Sequence, residues 1–162
     1  MPPTKPAAER PQMPESYGVP SSSEGMLTWD FVETRINAAR SYWIATVHPD
    51  NRPQARAVWG VWVEDTLYFG GGADTRWARN LAQNPAVSVH LESADEAVIL
   101  EGTVDRLTED NAEAALLTRI DDAYEAKYGM RHGTPVFRLR PRVVFAWKEF
   151  PTTPTRWRFD PS

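Results

Sequence analysis

The stretch 70–80 contains residue types that could bind a phosphate group. Three consecutive glycines lead into a predicted short helix that Asp74 or Thr75 can cap and that carries Arg76 and Arg79. A helix N-terminus presents unpaired backbone N–H groups and the positive end of the helix dipole, and glycines let an anion approach the backbone closely. This pattern is typical of a phosphate-binding cradle.

Arg56 lies in a preceding strand-like run and could add a guanidinium group to the same pocket, since arginine matches phosphate oxygens well. A glycine-rich connection with surface arginines would explain the same residues, because arginine usually lies at the surface. The residues alone leave these two interpretations open.

Aromatic residues are the second feature that could serve a ligand. The chain has seven tryptophans and five tyrosines in 162 residues. The tryptophans beside the predicted strands are Trp43, Trp59, Trp62, Trp77, Trp147 and Trp157. Aromatic rings at a barrel mouth or a subunit interface suit a flat conjugated cofactor, and they suit an ordinary core equally. We expect Trp43 and Trp147 in the core, whereas Trp77, beside Arg76, is harder to explain by packing alone.

The usual catalytic and metal-binding patterns are missing from the sequence. There is no cysteine, which excludes a disulfide scaffold, a zinc ribbon, an iron–sulfur cluster and thiol catalysis. His48 falls in a predicted turn, His90 in a strand with its side chain opposite those of its neighbours, and His132 in a loop that we expect to be solvated. We therefore predict no metal site, and the sequence identifies no catalytic residue.

Length and charge exclude several classes of protein. A chain of 162 residues favours one domain, and 18 Lys and Arg against 22 Asp and Glu give a net charge of −4, which argues against a nucleic-acid-binding protein. No apolar run approaches the ~18 residues of a spanning helix, and the N-terminus lacks the apolar stretch of a signal peptide. We predict a soluble, cytoplasmic protein that binds neither nucleic acid nor membrane.

The elements that must position these residues are mostly strands. Strand-like runs cover 42–47, 55–63, 67–69, 87–91, 97–104 and 136–148, the last interrupted by Pro141. Helices are predicted over 28–40, 77–82 and 108–128. The turns between the early strands are too short for helical crossovers, so the pattern predicts a mainly β (α+β) antiparallel barrel of about six strands with peripheral helices.

The chain divides into three predicted segments. Residues 1–24 are rich in proline and are expected to form a flexible arm, in which only Tyr17 and Val19 could dock. Residues 25–150 are expected to form the barrel domain that binds the ligand. Residues 151–162 are expected to form a tail that packs near the site.

Several short motifs follow one another in a specific order between residues 28 and 150. They are 42–53, 58–63, 67–69, 75–81 with Asn84-Pro85, and 101–103. This ordered set resembles the pyridoxamine 5'-phosphate oxidase-like split β-barrel family. The resemblance implies a six-stranded split β-barrel, a homodimer, and a flavin-type cofactor at the dimer interface, either FMN or the deazaflavin coenzyme F420. A few members of the family bind heme or no cofactor.

The resemblance also implies which residues bind the cofactor. Arg76 and Trp77 occupy the Arg-Lys pair that holds the cofactor phosphate in the family, so the lysine is missing here, and Arg79 one turn later could compensate. Trp77 could instead stack on a ring. The full implied set is Arg56, Val58, Trp59, Gly60, Thr75, Arg76, Trp77, Arg79, Asn80 and Trp157.

Family membership would imply an oxidoreductase whose cofactor transfers hydride to or from a small conjugated substrate, while the protein binds, orients and excludes water. The alternative is a protein of the same fold that sequesters flavin or heme without turnover. The chain lacks the final Arg-Leu-x-Pro signature of the authentic pyridoxamine phosphate oxidases, so we do not predict vitamin B6 synthesis.

Overall fold

Antiparallel β-strands make up most of the protein in a computed structural model, which describes residues 5–159. The strands are β1 (Ala8–Glu9), β2 (Tyr42–Val47), β3 (Pro53–Val63), β4 (Thr66–Gly70), β5 (Ala86–His90), β6 (Ala97–Leu107), β7 (Val136–Trp147) and β8 (Thr155–Arg158). The α-helices are α1 (Trp29–Ala38), α2 (Arg76–Gln83) and α3 (Ala114–Tyr128), and a 3-10 turn covers Glu15–Tyr17. None of the described helices is long and apolar enough to span a membrane.

Six of the strands close into a barrel. Their order is β7-β4-β3-β2-β5-β6, and β6 pairs back onto β7. The turn between β3 and β4 is tight, because Glu64 and Asp65 both adopt positive φ values, 51° and 61°. The predicted six-stranded antiparallel barrel is confirmed. Strands β1 and β8 extend the sheet beyond β7, and the sequence analysis did not predict them.

Two hydrophobic clusters hold the helices against the barrel. The main core contains buried residues of α1 and α2, such as Val32 and Leu81, together with the inward side chains of the strands. A second cluster joins α3 to the outer face of the β3–β4 pair through Ile120, Tyr124 and Tyr68. Both α2 and the C-terminal half of α3 are therefore fixed beside β3 and β4.

The interruption predicted at Pro141 is a bulge within one continuous strand. The register between β6 and β7 shifts between Glu101 and Gly102, and Gly102 faces Pro141. A Cβ atom at Gly102 would lie only 2.0 Å from the carbonyl oxygen of Arg140, so this close approach requires glycine. Proline is tolerated here because the ladder is already locally disrupted.

Helix α3 begins at Ala114 with Glu113 as its N-cap, five residues after the predicted cap, Thr108. The predicted cap, Thr108, instead opens a turn in which its N–H donates to the Asn111 side chain (2.8 Å). The Asn111 amide in turn donates to the carbonyl of Arg106 (2.9 Å). These local side-chain bonds compete with helix formation. The C-terminus is as predicted, with Gly129 in the left-handed conformation (φ 80°).

The N-terminal segment is tied to the body more firmly than expected. Strand β1 pairs with β8, and the Arg10 guanidinium donates to the carbonyl oxygens of Ser22, Glu24, Thr152 and Pro154 at 2.6–3.0 Å. Tyr17, one of the two residues expected to dock, is 54% exposed. Arginine, not the aromatic residue, makes the main contacts, because one guanidinium can satisfy several carbonyls. The division into arm, barrel and tail stays a prediction.

Candidate functional site

The N-terminus of α2 has the geometry of an anion-binding site. The Thr75 hydroxyl caps the helix by accepting a hydrogen bond from the N–H of Ala78 (3.3 Å), and the Thr75 N–H donates to the Gly72 carbonyl (3.1 Å). Within residues 5–159, the N–H groups of Arg76 and Trp77 make no hydrogen bond. These two donors and the helix dipole therefore remain available to an anion.

Arginines near this helix start have no carboxylate partner among the described residues. Arg76 is partly buried at the first position of α2, and Arg79 is exposed one turn later. The Arg56 guanidinium donates only to the carbonyl of its neighbour Ala55 (2.8 Å). A guanidinium group that is not paired internally can bind phosphate oxygens. The start of α2 and these three arginines are called the cradle below.

Arg56 lies on the face of β3 that α2 covers. Side chains alternate along a strand, so Gln54, Arg56 and Val58 share one face. The Gln54 side chain accepts a hydrogen bond from the amide of Asn80, in α2 (3.4 Å). The structure therefore places Arg56 on the same side of the sheet as α2, as the phosphate interpretation requires.

The side chain of Trp77 packs in the core, so only the backbone N–H of this residue belongs to the cradle. Its side chain is 6% exposed, and its ring centre lies 5.8 Å from that of Phe69 and 5.3 Å from that of Phe137. A Cβ atom at Gly71 would approach the indole to 2.7 Å, so the glycine loop packs directly on this ring. At the position of the family's lysine, the Trp77 side chain is packed in the core. That it stacks on a cofactor stays a prediction.

Asn80 is also buried, with no exposed surface. Its amide nitrogen donates to the Thr46 hydroxyl (3.1 Å) and to Gln54 (3.4 Å), so it joins α2 to the β2–β3 hairpin. Its Oδ1 atom has no hydrogen-bond partner among the described residues. Asn80 therefore positions α2. That it lies beside the cofactor, as the resemblance implies, stays a prediction.

Trp157 lies in the core beneath α1. It is 2% exposed, and its ring packs edge-on against Trp29 with centres 5.4 Å apart. This burial leaves almost no surface of Trp157 for a ligand. Its assignment to the cofactor site stays a prediction. The tail packs along β7 and β1 through β8.

The strand segment Val58-Trp59-Gly60 contributes one exposed side chain. Val58 is buried in the main core, and the Gly60 peptide groups bond to α3: its N–H donates to the Tyr128 hydroxyl (2.9 Å) and its carbonyl accepts from Lys127 (2.8 Å). Trp59 is 41% exposed. Of this segment, the Trp59 ring is what a ligand could contact.

Sequence analysis missed the side chains that the end of α3 brings to this strand. His132, expected to be solvated, packs its ring on Tyr124 (centres 4.7 Å apart) and over Gly70, where a Cβ atom would lie 2.2 Å from the imidazole. Lys127 and Tyr128 bond to Gly60. The spacing of Tyr124, Lys127 and Tyr128 places them on one helix face, and this signal could have identified them.

A cavity of about 530 Å³ opens where β4 and β7 diverge. Its walls include Trp62, Tyr68, Leu139 and Phe159. None of the ten cofactor-binding residues that the resemblance implies lines it. The start of α2 therefore does not open into this cavity.

The sequence between residues 28 and 148 matches the family model of pyridoxamine 5'-phosphate oxidase. This match spans all six barrel strands and the cradle. The chain belongs to the pyridoxamine 5'-phosphate oxidase family. No curated protein matches it significantly. The resemblance seen in the ordered motifs is confirmed.

Several solved structures are similar to this chain, and their names mention different ligands. An F420 reductase is 23% identical with a TM-score of 0.52, over 69% of this chain and 94% of that one. A heme binding protein from Mycobacterium smegmatis is 23% identical with a TM-score of 0.60, over 78% and 57%. A pyridoxamine 5'-phosphate oxidase-related, FMN binding protein from Nostoc punctiforme is 16% identical with a TM-score of 0.57, over 82% and 90%. At these identities the likeness shows the fold.

The hydrogen-bond donors of the cradle suit a phosphate group. Arg56 and Arg76 offer guanidinium groups, the Thr75 hydroxyl proton is free to donate, and two backbone N–H groups lack acceptors within the described chain. Phosphate oxygens accept from each of these donors. These groups are the ones that would hold the phosphate of a flavin-type cofactor.

Proposed function

We propose that the protein is an oxidoreductase that binds a flavin-type cofactor, FMN or the deazaflavin coenzyme F420, by its phosphate at the cradle. The observation that supports this proposal is the start of α2. There, two N–H groups without acceptors within residues 5–159 lie beside arginines without carboxylate partners in the same range. Such a site stabilises a phosphate through the helix dipole and charge-assisted hydrogen bonds. The similar F420 reductase and FMN binding protein add support at the level of the fold.

The chain's own residues would bind the cofactor and orient it. Arg76 and Arg56 hold the phosphate, and Asn80 keeps α2 in place against the β2–β3 hairpin. The exposed Trp59 ring offers a surface for a flat group. The bound cofactor would supply hydride transfer to or from a small conjugated substrate. No nucleic acid or membrane partner is proposed, and a cytoplasmic location stays a prediction from composition.

We also propose that the protein is a homodimer whose subunits meet on the outer face of β2, β3 and β5. Trp43 was expected in the core, but it lies on this face and is 43% exposed. It pairs with Ala57 on β3 and with His90 on β5, and small side chains such as Ala55 leave the face flat. An exposed large aromatic on a flat sheet face is typical of an interface. Light scattering should give a dimer, which Trp43→Glu should dissociate.

The cofactor is tested by titrating the purified protein, freed of any bound ligand, with FMN and in parallel with coenzyme F420. Calorimetry and the quenching of tryptophan fluorescence both report binding. Saturable micromolar binding of one cofactor supports the proposal and identifies the cofactor. If neither binds, the proposed oxidoreductase function is wrong.

A second candidate function is heme or flavin sequestration without turnover, and His90 is the observation that favours heme. Its Nδ1–H donates to the Leu91 carbonyl (2.8 Å), and its Nε2 makes no hydrogen bond within residues 5–159. His90 lies beside Trp43 on the outer face of the sheet. A neutral imidazole fixed in this tautomer is a common iron ligand.

Heme titration separates this candidate from the oxidoreductase. A Soret band that shifts on binding in the wild type and is lost in His90→Ala would favour sequestration. An unchanged heme spectrum in the variant would exclude His90 as the ligand. The similar heme binding protein makes heme a reasonable ligand to test.

A further inference from the structure

One edge of β7 has no strand partner over part of its length. Strand β6 pairs along β7 from Val136 to Trp147, so β4 and β8 share the opposite edge. Strand β4 pairs there with residues 137–138, and β8 pairs with residues 143–146. Residues 139–142 therefore lie in a gap between these two strands, and the cavity of about 530 Å³ opens at this gap. A cavity of this volume is large enough for a small organic ligand.

Three aromatic rings form much of the apolar wall of the cavity. Trp29, Trp62 and Phe159 pack at the edge of the main core, and each is only partly buried. The indole N–H of Trp62 donates to the carboxylate of Glu33 (3.4 Å), so the rest of this ring is apolar surface. The buried side chains in the same wall include Leu67, Leu100 and Leu139. Apolar surface that is left partly exposed in a concave site is stabilised when an apolar ligand covers it.

Two basic side chains of the wall are paired with carboxylates. The Lys5 ammonium lies 3.9 Å from a carboxylate oxygen of Glu33. The Arg119 guanidinium lies 3.0 Å from a carboxylate oxygen of Glu64, which is also in the wall. Neither cation is therefore left to neutralise an anionic ligand.

The other charges of the wall nearly balance as well. Arg138 and Arg140 both donate to the same carboxylate oxygen of Asp105. Asp65 and Glu113 add two carboxylates to the wall, and neither makes an ion pair within residues 5–159. A charged ligand would lose its hydration in the cavity without meeting an excess of the opposite charge. The wall therefore favours an uncharged ligand.

We propose that this cavity is a binding site for an uncharged, largely apolar organic molecule, which covers the exposed surface of the Trp29, Trp62 and Phe159 rings. The site is separate from the cradle, because the start of α2 does not open into it. Neither Trp43 nor Trp59, the exposed tryptophans of the outer sheet face, lines it. Binding therefore depends neither on a cofactor nor on the proposed dimer.

The test uses N-phenyl-1-naphthylamine, an uncharged probe that fluoresces more strongly in apolar surroundings, titrated into the cofactor-free full chain. One probe molecule is expected to bind to each chain. The anionic probe 1-anilinonaphthalene-8-sulfonate has the same rings and an added sulfonate. It is expected to bind at least about tenfold more weakly, because the cavity does not neutralise its charge.

Two variants that fill the cavity locate the bound probe. Ala112→Trp and Thr66→Trp each add a large side chain to the wall at a position that is only partly buried. Each is expected to weaken binding of the uncharged probe about tenfold or more, because the indole takes up volume that the probe needs. Ala115→Trp and Thr118→Trp, at exposed positions of α3 outside the wall, are the matched controls and should leave the affinity unchanged.

Three outcomes would overturn the proposal. They are no binding of the uncharged probe to the full chain, equal affinity for the uncharged and the anionic probe, and unchanged affinity in both wall variants. Thr66 lies in β4 and Ala112 precedes α3, so one variant still decides the result if the other fails to fold. Because FMN and coenzyme F420 are absent from this titration, its failure would leave the proposed function untouched.

Discussion

The cradle and the C-terminal end of α3 both carry positive charge, but they are built differently. The cradle comes from one short stretch of chain, and its charges lie near the surface at a helix N-terminus. At the end of α3, Lys127 lies where three elements meet, since it donates to the Tyr42 hydroxyl on β2 and to the Gly60 carbonyl on β3. A site formed by one stretch of chain can be predicted from the sequence. A site formed by separate stretches can be predicted only when the fold is known.

The largest effect is expected from restoring the family's lysine in the cradle. Trp77→Lys would place an ammonium group among Phe69 and Phe137, where it has neither water nor a partner. We expect the free energy of unfolding to fall by about 4 kcal/mol or more, measured by urea denaturation. Trp77→Phe is the control, and its loss should stay below about 2 kcal/mol. If Trp77→Lys is as stable as the wild type and binds FMN more tightly, then the side chain at position 77 belongs to the cradle after all.

The next effect concerns the phosphate itself. Arg76→Ala should weaken FMN binding by roughly 1.5–3 kcal/mol, because a charge-assisted hydrogen bond is lost. Riboflavin, which lacks the phosphate, should bind the wild type and the variant equally. Arg106→Ala serves as the matched exposed control. A variant that loses FMN and riboflavin binding alike would show that Arg76 contacts the ring or supports the fold, and not the phosphate.

A smaller effect is expected from Asn80→Ala, which tests whether Asn80 positions α2 or binds the cofactor. Asn80→Ala leaves the buried Thr46 hydroxyl without its donor, and we expect the free energy of unfolding to fall by about 1–2 kcal/mol. FMN affinity should change little once the variant is folded, since the Asn80 side chain has no exposed surface. Gln83→Ala, at the exposed end of α2, is the control. A large loss of FMN affinity without a loss of stability would place Asn80 in contact with the cofactor.

The limits of prediction from sequence follow from these residues. The alternation of apolar residues and the short turns predict the barrel, because a strand's period of two is visible within a few residues. The cradle is predicted for the same reason, since glycines, a cap and arginines are adjacent. The packing of Trp77 is missed because an eight-residue helix is too short for its pattern to show which face is buried. Trp43 is misjudged because a tryptophan on the exposed face of a strand cannot be distinguished by residue type from one on the buried face.

The smallest predicted effect is the pH dependence that Lys127 gives to stability. Burial, together with the charge of Arg40, lowers its pKa to about 8 in the folded protein, below the value of about 10.4 for an unfolded chain. Between these values the unfolded chain binds more protons, so the free energy of unfolding should rise as the pH increases from about 8. Solvent screening limits the rise to about 1 kcal/mol up to pH ~9.5.

Urea denaturation between pH 7.5 and pH 9.5 measures this rise against Lys127→Gln, which should lack it. The range ends below pH ~10 because tyrosines of the unfolded chain ionise there. In the folded protein burial raises the pKa of Tyr42 and Tyr128. Above that pH the tyrosines therefore make the free energy of unfolding fall as the pH increases. Phosphate bound at the cradle should leave the wild-type curve unchanged. A flatter curve in phosphate would mean that an anion at the cradle raises the pKa of Lys127, so that the two regions are one electrostatic site and the distinction between them would be lost.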